Sequence, residues 1–316
     1  NYPYDGSEKE KLDFKLNSSY LDRWMLDTKY PRSTGYMDFN YNGHIVVNRG
    51  YEEATTPSAS KLADLFNSKR VVYDSAKRRK QTFVLDFDDG FTFEWMMKKD
   101  AWNTTDHKEE TIFELSEGAS YIKLVLSASA EGTRPFNIAA HDGATTVALT
   151  DIGASTLLTS SVADNAWHHY AVSMIKSGAN IKVNFYVDGI SNEITNLAPL
   201  NNIDGNVTAF IGSGSYGLLD ASMDEFRYWN KLQTSERINS YYDTSIGGGA
   251  NSDDYRKELG VYYKFNEGTT LTATTDRVIL DYSGRIANGY VENYVDAMRA
   301  SGSAFSSEIG DPIIRS

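Results

Sequence analysis

The sequence contains no cysteine, so no disulfide bond can staple its fold. Basic residues are also scarce, since 31 Lys and Arg stand against 43 Asp and Glu, giving a formal net charge of −12. Because phosphate backbones demand a basic surface, this balance argues against a nucleic-acid partner. No apolar run approaches the roughly 20 residues that a membrane-spanning helix needs, so membrane insertion is not expected.

Aromatic residues, in contrast, are abundant. They make up 13% of the 316 residues, and 21 of them are tyrosine. Aromatic side chains favour strands, and they supply the surfaces on which sugars and proteins bind. With 41% hydrophobic residues the chain can also bury a sizeable core. These values predict one large β domain, with or without appendages.

Strand patterns joined by tight turns dominate residues 165–230. Tyr170, Val172 and Met174 share one face of the first strand by strict alternation. The next strand alternates more clearly, with one apolar face made of Ile181, Val183, Phe185 and Val187. Asp188-Gly189 follows this strand, and Asp-Gly is the strongest short hairpin signal because both turn residues must accept positive φ. Thr234 is expected to cap a short helix over residues 235–242, with Ile238, Tyr241 and Tyr242 facing inward.

Four segments in fixed order resemble a known family: Trp167–Val172, Phe185–Gly189, Ile211–Ser213 and Met223–Asn230. Their order and spacing resemble the laminin-G-like branch of the concanavalin A-like lectin/glucanase superfamily over roughly residues 80–245. The resemblance implies a mainly β fold, a concanavalin A-like jelly-roll sandwich of two antiparallel sheets with short helices. It implies little about activity, because that fold hosts lectins, adhesion modules and glucanases.

The sequence divides into three predicted segments. Residues 1–79 form an N-terminal extension with strands, a hairpin signal at Asn42-Gly43 and a short helix within Pro57–Phe66. Residues 80–245 form the laminin-G-like domain. Residues 246–316 form a linker, marked by Gly247–Gly249, and a C-terminal extension. In this extension Leu259–Gly268, Asp281–Arg285 and Asn288-Gly289 resemble the start of a second laminin-G-like unit, and residues 259–316 also resemble tailed-phage virion structural proteins. The apolar residues of this extension should add strands to the sandwich or dock on a neighbour.

The sequence lacks the pattern of carboxylates that the glucanases of this superfamily use for glycan hydrolysis. Glucanases of the superfamily carry Glu-x-Asp-x-x-Glu on one strand, and retaining glycosidases need two carboxyl groups about 5–5.5 Å apart. Glu110 and Glu114 share a strand face in the predicted strand, but the central Asp and a third acid are absent. The sequence therefore predicts a protein that is not an enzyme, with no catalytic residues.

Two stretches invite interpretation as metal sites. His168 and His169 are adjacent on a strand, so their rings point to opposite faces and cannot share one ion. Asp224 is the better candidate, because the resemblance places an acid at this position beside a structural Ca²⁺ in some members. One Asp is only a fraction of the six to eight oxygens that calcium takes. The alternative, an Asp that accepts from nearby backbone N–H groups, is preferred.

Candidate ligand-binding residues lie in loops, where aromatic faces and planar polar groups can meet a sugar. They are Trp102, Asn103, Arg134 and Tyr216. Each is alternatively a rim residue that covers the core, and for any single one this alternative is preferred.

The sequence thus predicts a non-catalytic recognition or assembly module of a larger extracellular particle, a phage virion structural or adhesion protein that binds a glycan or a neighbouring subunit. The chain starts at Asn1 rather than at Met, so we expect a segment of a longer polypeptide. Two alternatives stay open: a secreted bacterial carbohydrate-binding module and a glycan-degrading enzyme of the same fold. The expected location is the virion or the extracellular space.

Overall fold

The computed structural model describes residues 35–47, 83, 85–102, 109–127, 132–203, 207–246, 258–270, 276–283 and 287–305. These residues form two large antiparallel sheets that pack face to face. The arrangement confirms the predicted concanavalin A-like sandwich.

The first sheet has eight strands among the described residues, and seven of them follow the order β10-β9-β8-β3-β14-β1-β18. The last, β15, pairs with the distal half of β14. The bounds are β1 Gly35–Asp38, β3 Phe91–Lys98, β8 Trp167–Ser177, β9 Asn180–Val187, β10 Ile190–Leu197, β14 Ser222–Trp229, β15 Leu259–Tyr263 and β18 Arg299–Ser301.

The second sheet also has eight strands in the described part of the chain, in the order β16-β17-β2-β11-β4-β5-β6-β7. The bounds are β2 His44–Val47, β4 Glu110–Glu117, β5 Ser120–Leu126, β6 Phe136–His141, β7 Thr146–Ile152, β11 Thr208–Ile211, β16 Val278–Ile279 and β17 Gly289–Glu292.

Short elements complete the structure. A small hairpin joins β12 Ser213–Gly214 to β13 Gly217–Leu218, and the two α-helices of the described residues are α1 Thr159–Val162 and α2 Ser235–Tyr241. Single 3₁₀ turns occur at Phe39–Tyr41 and Asp296–Met298. None of the helices described here is long and apolar enough to cross a membrane.

The core lies between the sheets and is rich in aromatic rings. Phe93 of β3 stacks on Phe113 of β4 with ring centroids 4.2 Å apart, which joins the two sheets at their centre. Trp95 lies against Tyr170 at 5.8 Å. The alternation that predicted inward-facing residues is confirmed in β8 and β9, where these side chains are buried in one continuous cluster except Val187, which is partly buried against it.

Strands from outside residues 80–245 belong to the same two sheets. β1 and β2 precede this region, and β15 to β18 follow it. β18 pairs with β1, and β17 pairs with β2, so the two flanking segments hydrogen-bond to each other in both sheets. Of the two outcomes expected for the C-terminal segment, the described residues show the addition of strands.

One predicted turn is confirmed and one is wrong. Asp188 and Gly189 have φ of 48° and 75° and join β9 to β10 as a hairpin. Asn42 also has positive φ, 62°, but Asn42-Gly43 does not form a hairpin, because β1 and β2 belong to different sheets. The turn instead carries the chain across the sandwich after the 3₁₀ turn.

The predicted helix after residue 234 is confirmed as α2. The Thr234 side chain accepts from the backbone N–H of Arg237 and caps it, as expected. Ile238 is buried against the sheet, but Tyr241 is 42% exposed, so its predicted inward position is wrong. The helix ends at Tyr241, and only Ile238 of its residues is buried.

Several predictions fall outside the described residues. They are the helix within Pro57–Phe66, the ligand-binding role of Asn103 and the linker at Gly247–Gly249.

Candidate functional site

The loops that carry the candidate ligand-binding residues emerge at one end of the sandwich. In the first sheet, Lys98 ends β3 and pairs with Trp167, which begins β8. In the second sheet, Glu110 begins β4 and pairs with Leu126, which ends β5. Cross-links join these loops, since the Asn165 backbone N–H donates to the Lys99 carbonyl at 2.9 Å. The fold therefore brings residues 99–102, 132–135, 153–166 and 212–221 to the same end.

Tyr216 leaves this end and lies over the outer face of the second sheet. It sits at the tip of the β12–β13 hairpin, which folds back onto β4. A Cβ at Gly214 would lie 2.6 Å from Thr111 Cγ2 and 2.7 Å from Glu114 Oε2, so glycine allows this close approach. The Tyr216 ring is 42% exposed.

A lysine holds the Tyr216 ring in place. Lys123 Nζ lies 4.3 Å from the centroid of the Tyr216 ring and 4.1 Å from that of Tyr121, within cation–π distance of both. The same ammonium donates to Ser215 Oγ at 2.7 Å. The Ser215 hydroxyl and backbone N–H donate to Glu114 Oε2 at 2.9 and 2.8 Å. We call these five residues, Glu114, Tyr121, Lys123, Ser215 and Tyr216, the Lys123 cluster.

The Lys123 cluster extends along the sheet. The Tyr121 ring stacks on His141 of β6, with centroids 5.7 Å apart and planes 22° from parallel. Lys123 itself is only 6% exposed, because the two tyrosine rings cover it. The result is an ordered aromatic surface with a carboxylate and hydroxyl groups at its side.

Trp102 and Arg134 have structural contacts instead. Trp102 packs against the core, and Lys99 Nζ lies 5.4 Å from the centroid of its ring. Arg134 Nη1 donates to the Gly153 carbonyl at 2.7 Å and lies 3.9 Å from Glu193 Oε2, which braces two loops. No hydrogen bond, ion pair or cation–π contact of the described residues joins Trp102, Arg134 and Tyr216 to one another, and their shared role in ligand binding stays a prediction.

The two glutamates of β4 lie on opposite faces of the sheet, so the prediction that they share a face is wrong. A β-bulge between Thr111 and Phe113 shifts the register: Glu110 pairs with core residue Leu126, and Glu114 pairs with Lys123 on the outer face. Glu110 accepts from Lys99 Nζ at 2.8 and 3.0 Å. Burial raises the pKa of Glu110, partly offset by the charge of Lys99.

The histidine pair is structural, and its rings have separate partners. His168 lies between Asp188, at 2.9 Å from Nδ1, and Asp164, at 3.1 Å from Nε2. The hydrogen bond with Asp188 is the largest cause that raises the pKa of His168 to about 9. His169 faces the other way and contacts Glu94 at 3.2 Å.

Asp224 has hydrogen-bond partners inside the protein, and its role as a calcium ligand stays a prediction. Its Oδ1 accepts from the backbone N–H of Glu225 at 2.8 Å, and its Oδ2 accepts from that of Ala304 at 3.2 Å. Both oxygens are thus used inside the protein, as the alternative interpretation expects. In the part of the chain that the structure describes, no group of three or more His, Asp or Glu residues is arranged to hold a metal ion.

A buried ionic network on the outer face of the first sheet was missed in the sequence. Arg227 Nη2 pairs with Glu225 at 2.9 Å, and Arg227 Nη1 lies 3.6 Å from Glu94. Tyr262 of β15 donates to Glu225. Burial alone would raise the pKa of Glu94, but the hydrogen bond with His169 and the charge of Arg227 lower it overall. The sequence does contain a signal for this network, because charged residues interrupt the apolar run of β14.

The family to which the chain is matched agrees with this architecture. The family model Laminin_G_3, described as "Concanavalin A-like lectin/glucanases superfamily", matches residues 71–239. Among solved structures, the chain is similar to a "putative carbohydrate binding protein" from Bacteroides ovatus, with 19% identity and a TM-score of 0.46 over 83% of this chain and 58% of that one.

Two toxin domains are also similar to the chain. The receptor binding domain of botulinum neurotoxin D has 16% identity and a TM-score of 0.39, over 52% of this chain and 39% of that one. The binding domain of botulinum neurotoxin serotype G has 14% identity and a TM-score of 0.37, over 50% of this chain and 36% of that one. The chain thus spans less than two thirds of the length of each of these structures. Among curated proteins, no sequence matches the chain.

Proposed function

Because the chain belongs to the Laminin_G_3 family of the concanavalin A-like lectin/glucanase superfamily, we propose that it is a non-catalytic module that recognises a glycan through the Lys123 cluster. The fold hosts several unrelated functions, so the proposal depends on the residues of the site. The observation that carries it is the exposed ring of Tyr216, held over the sheet by Lys123 at 4.3 Å.

The geometry suits a sugar ring. A fixed aromatic face offers the apolar surface on which the C–H groups of a pyranose can stack. Glu114 lies beside it and is already bound to Ser215, so its carboxylate has a fixed direction. An immobilised ring and carboxylate lose little conformational entropy on binding, which supports affinity from a small surface.

The position of the carboxylates supports recognition rather than hydrolysis. Glu110 is on the core face and paired with Lys99, whereas Glu114 is on the outer face. A retaining glycosidase needs two carboxyl groups about 5–5.5 Å apart on one side of the substrate. Reducing-sugar release from laminarin, agarose or alginate above a heat-killed control would contradict a non-catalytic role.

A glycan array tests recognition directly. The wild-type protein is compared with Tyr216→Ala and with Tyr241→Ala, a control tyrosine that is equally 42% exposed but lies on α2, over the other sheet. We expect glycan binding that disappears in Tyr216→Ala and persists in Tyr241→Ala. An array without hits for the wild type would contradict glycan recognition and favour assembly with a neighbouring subunit.

We further propose that the module belongs to an extracellular particle, a phage virion. This part is supported by the sequence resemblance of residues 259–316 to tailed-phage virion proteins. The alternative is a secreted bacterial carbohydrate-binding module. Mass spectrometry of purified particles and of the secretome separates the two: peptides such as Tyr262–Arg277 found only in soluble secreted fractions would rule out the virion.

A further inference from the structure

A pocket of about 150 Å³ lies on the outer face of the first sheet, on the opposite side of the sandwich from the Lys123 cluster. Ser173 of β8 and Asn184 and Tyr186 of β9 form its floor. Residues 232–235, which lead into α2, form its rim. The pocket therefore lies between a sheet face and a covering segment.

The polar floor is held rigid by a chain of hydrogen bonds. Ser191 Oγ donates to Asn184 Oδ1 at 2.7 Å, and Asn184 Nδ2 donates to the Tyr186 hydroxyl at 2.7 Å. The Tyr186 hydroxyl in turn bonds to Ser235 Oγ on the rim at 3.0 Å. Such a network fixes the direction of each donor and acceptor before any ligand arrives.

Two groups that line the pocket have hydrogen-bonding capacity left over. Within the described residues, the Ser173 hydroxyl has no hydrogen-bond partner, although Ser173 is a buried residue. Lys182 reaches the pocket from β9, and its ammonium has no ion-pair partner in the same part of the chain. Ile175 and Leu232 add aliphatic walls.

The size and the charge of the pocket limit what it can hold. At roughly 30 Å³ of liquid volume per water molecule, the space corresponds to about five waters. The pocket volume is well below the ~300–1,000 Å³ of pockets for drug-sized ligands and is in the range of one monosaccharide ring. The described lining contains a cation, Lys182, and no carboxylate, so a negative group on the ligand would be favoured.

We propose that this pocket binds one acidic sugar residue, a uronic acid, whose ring hydroxyls meet Ser173 and the amide of Asn184 while its carboxylate meets Lys182. The aliphatic faces of Ile175 and Leu232 contact the C–H groups of the ring. The site is separate from the Lys123 cluster, so it does not depend on the function proposed there.

Titration of the full chain with sodium glucuronate, followed by ¹H–¹⁵N TROSY spectra, tests the proposal. Glucose and sodium acetate at matched ionic strength are the comparison probes. We expect saturable shifts at the pocket residues with a dissociation constant of roughly 1–10 mM, about tenfold weaker binding of glucose, and no saturable shifts with acetate. Equal binding of glucose, saturation by acetate, or no shifts at these residues would each overturn the proposal.

Variants assign the effect to named side chains. Lys182→Ala should weaken glucuronate binding about tenfold and bring it to the level of glucose, and Ser173→Ala should weaken both sugars about fivefold. Lys176→Ala is the matched control, because this neighbouring lysine pairs with Asp88 at 3.1 Å and does not line the pocket. Tyr216→Ala should also bind glucuronate normally, so the two proposals can fail separately. Unchanged affinity in Lys182→Ala would contradict the acidic ligand.

Discussion

The guanidinium of Arg227 lies 2.9 Å from the carboxylate of Glu225, and both side chains are only 1% exposed. Glu225 sits at a β-bulge of β14, with φ of 51°. Arg227 also donates to the Tyr241 carbonyl at 3.0 Å. One buried cation therefore joins the strand to the C-terminal end of α2, and its burial is matched by the carboxylates of Glu225 and Glu94.

Replacing this cation should strongly destabilise the fold. Arg227→Met leaves Glu225 and Glu94 buried without their positive partner, so we expect a loss of about 3–5 kcal/mol in the free energy of unfolding. Urea unfolding followed by fluorescence measures it. Arg237→Met is the control, because the Arg237–Glu258 pair is about one-third exposed, at 32% each, and should cost less than about 1 kcal/mol. Similar losses in both variants would contradict the role of the buried network.

His168 should make stability depend on pH. Its pKa is raised from 6.5 to about 9, chiefly by the hydrogen bond with Asp188 and further by Asp164. A raised folded-state pKa contributes stability that is full below pH 6.5 and disappears as pH rises through about 9. At pH 6 we expect His168→Gln to be less stable than wild type by roughly 1–3 kcal/mol, reduced from the full linkage value because the ring is partly solvated.

The pH series for His168→Gln uses urea unfolding at several values from pH 6 to pH 9.5. The difference between wild type and variant should shrink steadily across this range. The contribution of His168 to stability should also decline at pH values below the ordinary pKa of Asp. The pKa values of Asp164 and Asp188 are lowered, so these carboxylates become protonated only there. A difference that stays constant with pH would show that His168 contributes by packing alone.

Gly212 should tolerate no side chain. Its φ is +78°, and a Cβ would lie 2.4 Å from Phe39 Cδ1. We expect Gly212→Ala to destabilise by about 2–4 kcal/mol, from backbone strain and the clash together. Gly118→Ala is the control for strain alone, since φ there is +58° and nothing lies within 4 Å of the added Cβ. Thermal unfolding of both variants measures the difference, and equal shifts would contradict the close contact with Phe39.

The sequence predicts well what depends on neighbouring residues. The alternation around Phe185 predicted the buried face of β9, and Asp188-Gly189 predicted its hairpin, because both features follow from local backbone geometry. The Thr234 cap was predicted for the same reason. These elements belong to the region that carries the family resemblance.

Features set by distant parts of the chain could not be predicted in this way. Asn42-Gly43 has the residues of a hairpin turn, but β1 and β2 find partners in different sheets. The bulge that separates Glu110 from Glu114 arises in the pairing with β5, and a shift of one residue reverses the face of every later side chain. Lys123 was overlooked because its contacts with Tyr216 depend on a hairpin that returns from more than 90 residues away.

The most direct test of glycan recognition is the affinity of one glycan, chosen from the array, for three proteins: wild type, Tyr216→Phe and Tyr216→Ala. Isothermal titration calorimetry measures it. Stacking on the ring predicts that Tyr216→Phe binds within about threefold of wild type and that Tyr216→Ala weakens binding by roughly five- to thirtyfold, since aromatic contacts contribute roughly 1–2 kcal/mol. Wild-type affinity in Tyr216→Ala would contradict recognition through the Lys123 cluster.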